Sequence, residues 1–202
     1  MSSQVDIVNR ALLAIGARAQ VSSIDPSDGS VAGDAAAVLF TPTFEMLARS
    51  AHWNFLKRQA DLNVLKAAQG TLENPDGLTL GIPPIPWTYS YAYPSDCLKM
   101  RSLVPANNSD LSPGIPLMTN MATSMPVYVS QNAVPFSVAY DVDNSGNPIQ
   151  VVLTNMSQAT AIYTVNQPNP VIWDSLFQQA MVASLAAFLD RKSTRLNSSH
   201  CG

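Results

Sequence analysis

The hydrophobic period of this chain changes twice, and that change constrains the fold more than any other feature. Near the N-terminus, Val5, Val8, Leu12 and Ile15 recur at helical spacing. Ser3, with Asp6 three residues on, makes a capping-box-like start, and Gly16 supplies a stop. The turn-rich run from Ser22 to Gly29 leads to a second predicted helix over roughly 30–51, capped by Asp28 or Ser30. Its apolar positions include Val38, Leu39, Phe40, Phe44 and Leu47, and Pro42 inside it predicts a kink. Beyond Trp53 the helical period is lost. Residues 66–86, rich in Gly and Pro, read as a long loop, after which Trp87, Tyr89, Tyr91 and Tyr93 alternate with Thr88, Ser90 and Ala92 as in a strand. Further strands are predicted at Met100–Val104, Val127–Val129, Phe136–Tyr140, Ile149–Leu153 and Ala159–Val165, with Asn144-Ser145-Gly146-Asn147 as a hairpin turn. The chain then returns to helix: Asp174 can cap it, and Phe177, Ala180, Met181, Leu185 and Phe188 share one face. This order predicts an α+β fold: a small helical bundle built from both chain ends (residues 1–60 plus 166–189) with an inserted antiparallel β domain with long loops over 61–165.

Composition bears on how the surface is used. Charged residues are 12% and hydrophobic residues 47% of the 202, against about 25% charged in an average globular domain. Much of the surface must therefore be neutral polar or apolar, which suits a subunit interface better than water. The net charge is −3 and no basic stripe occurs, so gripping of nucleic-acid phosphates is not expected. Cys97 and Cys201 have neither metal-ligand spacing nor a disulfide framework. The start lacks the basic and apolar regions of a signal peptide. No run approaches the ~18 consecutive apolar residues of a membrane span, so no membrane association is expected. The stretch from Asp190 to His200 breaks the composition abruptly and resembles one reading frame of a sequencing adapter, so residues 190–202 are expected to be a non-native tail. Without it, His52 is the one histidine and Cys97 the one cysteine.

The residues that could carry chemistry are few. A Ser-His-Asp arrangement needs a histidine between an acid and a nucleophile, whereas His52 lies in an aromatic run at a helix end. Capping, or packing beside Trp53 and Phe55, is its expected role. Cys97 has no nearby base to make it a thiolate and reads as a buried structural cysteine. Asp141-Val142-Asp143-Asn144-Ser145-Gly146 imitates half of a calcium loop, but the twelfth position, where a bidentate glutamate is needed, is Val152, so a hairpin turn is preferred. Neither a GxGxxG nor a P-loop lysine occurs. The tyrosine strand could stack bases or sugars, but no arginine lies between its rings, and a core face is the commoner use. No catalytic, cofactor-binding or metal-binding residues are assigned, and no enzymatic activity is expected.

Four stretches together resemble the tail tubular protein A family, the head-to-tail adaptors of short-tailed bacteriophages. They are Ser3-Gln4-Val5-Asp6-Ile7-Val8-Asn9-Arg10-Ala11-Leu12 with Ile15-Gly16; Leu47 through Phe55, ending His52-Trp53-Asn54-Phe55; Trp87 through Leu98, with Tyr89, Tyr91, Pro94, Asp96 and Cys97; and Leu153 through Phe177, with Trp173-Asp174 and Phe177. The family's second motif carries a proline between the histidine and the tryptophan that this chain lacks. The resemblance implies a virion protein, assembled in the host cytoplasm as a ring of about twelve copies below the portal vertex. Its implied partners are the portal protein, the tail nozzle protein and, where fibres attach, tail fibres. Genomic DNA would pass through the lumen without specific binding, and the chain end would help contact the portal. The alternative expectation is a tail-associated binding module displaying the aromatic strand to a carbohydrate or host ligand.

Overall fold

The computed structural model describes residues 3–18, 20–105, 134–143 and 145–198, without the side chains of 105 and 191–198. The fold is α+β, with three helices and two antiparallel sheets. By backbone proximity it divides into a unit of Met1–Lys57 with Thr164–Gly202 and a unit of Arg58–Tyr163.

The helical unit holds α1 (Gln4–Ala14), α2 (Val31–Ser50) and α3 (Ser175–Ser198). The capping box of α1 is formed in both directions: the Ser3 Oγ accepts from the Asp6 N–H at 3.1 Å, and the Asp6 carboxylate accepts from the Ser3 N–H at 2.8 Å. Its far end closes as a Schellman motif, with Ala17 N–H to Leu12 O and Gly16 N–H to Leu13 O. Gly16 sits there at φ +75°, where a Cβ is strained. The buried stripe of α1 is Ile7, Val8, Ala11 and Leu12. It is turned from the predicted one toward Ile7 and Ala11, which leaves Val5 and Ile15 half-buried.

Of the two candidate caps for α2, Ser30 serves: its Oγ accepts from the Gly33 N–H at 2.9 Å. Asp28 instead holds Ser30, accepting from its Oγ at 2.6 Å and its N–H at 3.0 Å. Pro42 lies inside α2 on the exposed side, so the carbonyl it leaves unpaired, that of Val38, can be hydrated. α3 is capped as expected: the Asp174 carboxylate accepts from the N–H groups of Leu176 and Phe177 at 2.7 and 3.1 Å. It buries Phe177, Met181, Leu185 and Leu189, a strict i, i+4 row, against α1 and α2. Its backbone continues helical past Leu189 to Ser198, through the stretch resembling an adapter.

The second unit holds two sheets, of order β1-β7-β4 and β2-β3-β6-β5. The strands are β1 (Lys57–Asp61), β2 (Val64–Ala67), β3 (Tyr89–Ala92), β4 (Cys97–Pro105), β5 (Phe136–Val142), β6 (Pro148–Thr154) and β7 (Ala159–Val165). Two of these depart from the sequence reading, which placed residues up to 60 with the helices and began a loop at 66. β1 reads Lys-Arg-Gln-Ala-Asp and is mostly exposed, so ladder hydrogen bonds rather than an apolar face define it. β2 is short and carries a bulge between Val64 and Lys66. The predicted strand Val127–Val129 lies outside the described residues.

In the four-stranded sheet, Ser90 lies opposite Leu153 and Leu153 opposite Ser137, so Lys66, Ser90, Ala92, Ile149, Val151, Leu153, Ser137, Ala139 and Asp141 share one face. Lys66 and Asp141 lie on the two outermost strands, which a flat sheet would hold roughly 14 Å apart. Their side chains nevertheless meet at 2.6 Å. The sheet is therefore strongly curled, which brings the two edge strands within reach of each other on that face.

Candidate functional site

Most of the aromatic residues that carry the resemblance fall into two clusters. In the helical unit, the Phe177 ring makes edge contacts with Phe44, Trp53, Phe55 and Trp173, with centroids 5.9, 5.0, 5.1 and 4.9 Å away. Trp173 also stacks on Phe44 at 5.4 Å and 9°. Trp53 serves a second purpose: its indole N–H donates to the Leu47 carbonyl at 2.9 Å, satisfying a backbone acceptor in the last turn of α2. Asn54 is exposed and opens a 3-10 turn, Asn54–Leu56, whose Leu56 is fully buried. His52 is exposed beyond the end of α2. The capping and packing expected of it belong to Trp53, because the indole rather than the imidazole turns inward.

In the second unit, Tyr89 and Tyr91 are buried, and the Tyr91 hydroxyl donates to the Met156 carbonyl at 2.8 Å. Trp87 is half-buried in a turn closed by its N–H to Pro84 O. Pro94 accepts the Cys97 N–H in a second turn. Asp96 accepts from the Tyr163 hydroxyl at 2.9 Å and pairs with the Arg58 guanidinium, linking β1 and β7 to the turn before β4. Cys97 is half-buried rather than buried, and its thiol donates to the Tyr93 hydroxyl at 3.1 Å. Burial, and next the hydrogen bond to Asp96, push the Tyr163 hydroxyl up to about 12. Burial raises Tyr91 to about 12 as well.

In the calcium-like run the described carboxylates are engaged by protein groups. Asp141 is committed to Lys66, and Asp143 accepts from the Ser145 and Asn147 N–H groups at 2.8 Å each, organising the β5–β6 turn. Asn144 lies outside the described residues. Among the described residues no group of three or more His, Cys, Asp or Glu side chains is placed to hold a metal. An open cleft of about 540 Å³ is lined by Ser3, Gln4 and residues 167–171, none of them titratable in its side chain. It can bind through neutral hydrogen bonds and proline faces but cannot move a proton.

Two features escaped the sequence reading. Asn74 is fully buried and knits the loop between β2 and β3: its Nδ2 donates to Ala67 O and Leu80 O at 2.7 and 2.9 Å, and its Oδ1 accepts from the Thr79 and Leu80 N–H groups at 3.2 Å each. The turn chemistry of Asn74-Pro75-Asp76-Gly77 was the available signal. The second is α2, 20 residues long with an 18-residue window of mean hydropathy 1.2, long and apolar enough by composition to cross a membrane. Counting consecutive apolar residues missed it, because Asp34 and Glu45 interrupt the run. Its inner side packs against α3, while Val31, Val38 and Met46 remain exposed. No protein-family model matches the chain, and no curated protein matches it.

Proposed function

We propose that the chain is a structural subunit of a short-tailed phage, an adaptor that joins the portal to the tail nozzle as a ring and forms part of the DNA channel. The observation that carries this reading is the Phe177 cluster. Two of the four resembling stretches, some 120 residues apart in sequence, meet there ring to ring through Trp53, Phe55, Trp173 and Phe177. Residues that carry the resemblance thus do joint architectural work. The acids Asp6, Asp28, Asp76 and Asp143 are all held in the charged form by hydrogen bonds, from Ser3, Ser30, Leu78 and Asn147 first. The net charge of −3 likewise does not favour gripping phosphates. The alternative, a carbohydrate- or host-binding module, needs an exposed tyrosine row, and the burial of Tyr89 and Tyr91 counts against it. The test is to incubate the chain with assembled portal and image the product by electron microscopy. A ring coaxial with the portal is the expected result, and a chain that leaves the portal bare would sink the reading.

A further inference from the structure

β1 is an outer strand with β7 as its neighbour. Just past its end, the Leu62 N–H donates to the Ala159 carbonyl at 2.9 Å, and the Thr160 hydroxyl donates to Asp61. That register sets Ala60 opposite Ala161 and Arg58 opposite Tyr163. Arg58 and Tyr163 accordingly meet on one carboxylate, that of Asp96. Arg58, Ala60 and Leu62 thus share the side of β7 on which Ala159, Ala161 and Tyr163 are buried.

Apolar burial does little to hold this strand down. Within it Ala60 is half-buried, and Lys57, Arg58, Gln59 and Asp61 are exposed. One half-buried methyl group contributes a small part of what a buried Leu or Val does. The apolar anchors lie outside the strand: Leu56 is wholly buried before it, and Leu62 is buried after it. Between them the side-chain contacts are polar, Arg58 with Asp96 near one end and Asp61 with Thr160 at the other. Arg58 is 58% and Asp96 32% exposed in their side chains, and ion pairs so open to water are weak. β3 and β6 are different, buried over Tyr89, Ser90 and Tyr91 and over residues 151–154.

We propose that β1 is a strap that lifts from β7 while the rest of its sheet holds, and that the Arg58–Asp96 and Thr160–Asp61 contacts are the clasps that keep it shut. Chain length limits the motion. Leu56 and Leu62 are six residue steps apart, a reach of at most about 22 Å against roughly 20 Å as a strand. With both leucines in place the middle of the strap can rise by roughly 4 Å. That parts the ladder hydrogen bonds but is too little for the strand to leave. β7 keeps its place through β4, its other neighbour. Openings of this kind belong to the low-stability end of a fold. The strap begins at Lys57–Arg58, where the chain passes from one unit to the other, so lifting turns that segment from strand to linker. It does so whether or not the chain is an adaptor.

Amide hydrogen exchange of the full chain, followed by NMR, separates the strap from its sheet because β7 faces both ways. The Ala161 N–H points at β1, whereas the N–H groups of Thr160 and Ile162 point at β4. In wild type, Ala60 and Ala161 are expected to show equal protection, insensitive to low denaturant and about tenfold or more below that of Thr160 and Ile162. In Arg58→Gln/Asp61→Ala, which removes both clasps from the exposed side, Ala60 and Ala161 are expected to lose about another tenfold, with Thr160 and Ile162 unchanged. Ala161 protected as well as its two neighbours overturns the strap. Loss of protection at all four amides by one factor overturns it too, because the variant then acts on the whole fold. No loss at any of them overturns the clasps and the proposal with them. Should the double variant fail to fold, the wild-type comparison decides.

Discussion

Phe177 touches four other rings and is wholly buried. Replacing it with alanine is expected to destabilise the helical unit by about 3–5 kcal/mol, measured by denaturant titration of tryptophan fluorescence, since Trp53 and Trp173 both sit on that ring. A loss below about 1 kcal/mol would mean the cluster is not a core. Asn74→Ala is expected to cost about 2–4 kcal/mol, because it strands the buried Ala67 carbonyl and the part-buried Leu80 carbonyl. The two residues differ in how readable they were. Phe177 sits at a position the helical period marks as inward. Asn74 shows in sequence only as a turn former, and its burial follows from a loop closing round it, which no local period encodes. His52 failed for a related reason: its neighbours locate the aromatic run, but which ring of adjacent residues turns inward is set by the chain direction after α2.

At the level of elements, caps and turns were the legible part. Ser3, Gly16, Ser30 and Asp174 act where their chemistry suggested, because capping depends on a few neighbouring residues. β1 was not legible, since an exposed strand with one half-buried side chain is defined by its partners. Pro42 makes α2 the element most open to improvement. Pro42→Ala is expected to stabilise the protein by about 1–2 kcal/mol, the restored hydrogen bond to Val38 outweighing the gain in unfolded-chain freedom. Thermal unfolding followed at the helical dichroism band would show the midpoint rising. An unchanged or lower midpoint would mean the proline fits a bend that the packing on α3 requires.

On the scale of the whole chain, the aromatic residues are sorted by unit, and this makes the two cores separately observable. All six tyrosines lie within residues 58–163, whereas Trp53 and Trp173 lie in the helical unit and only Trp87 does not. Tyr91 and Tyr163 are each raised to about 12, so the folded β unit favours their neutral forms. An unfolded tyrosine ionises near ~10. The stabilisation is therefore complete below about pH 10 and is lost as pH rises toward 12. The helical unit has no tyrosine and no equivalent loss. In a Trp87→Phe background, alkaline titration is expected to give two separate transitions. Tyrosinate absorbance would report the β unit opening, while the fluorescence of Trp53 and Trp173 stays native to higher pH. Tyr163→Phe, which removes the ionisable hydroxyl but keeps the ring, should move the first transition upward and leave the second in place. Coincident transitions, shifted together by that variant, would instead mean that the cores at Phe177 and at Tyr91 unfold as a single cooperative body.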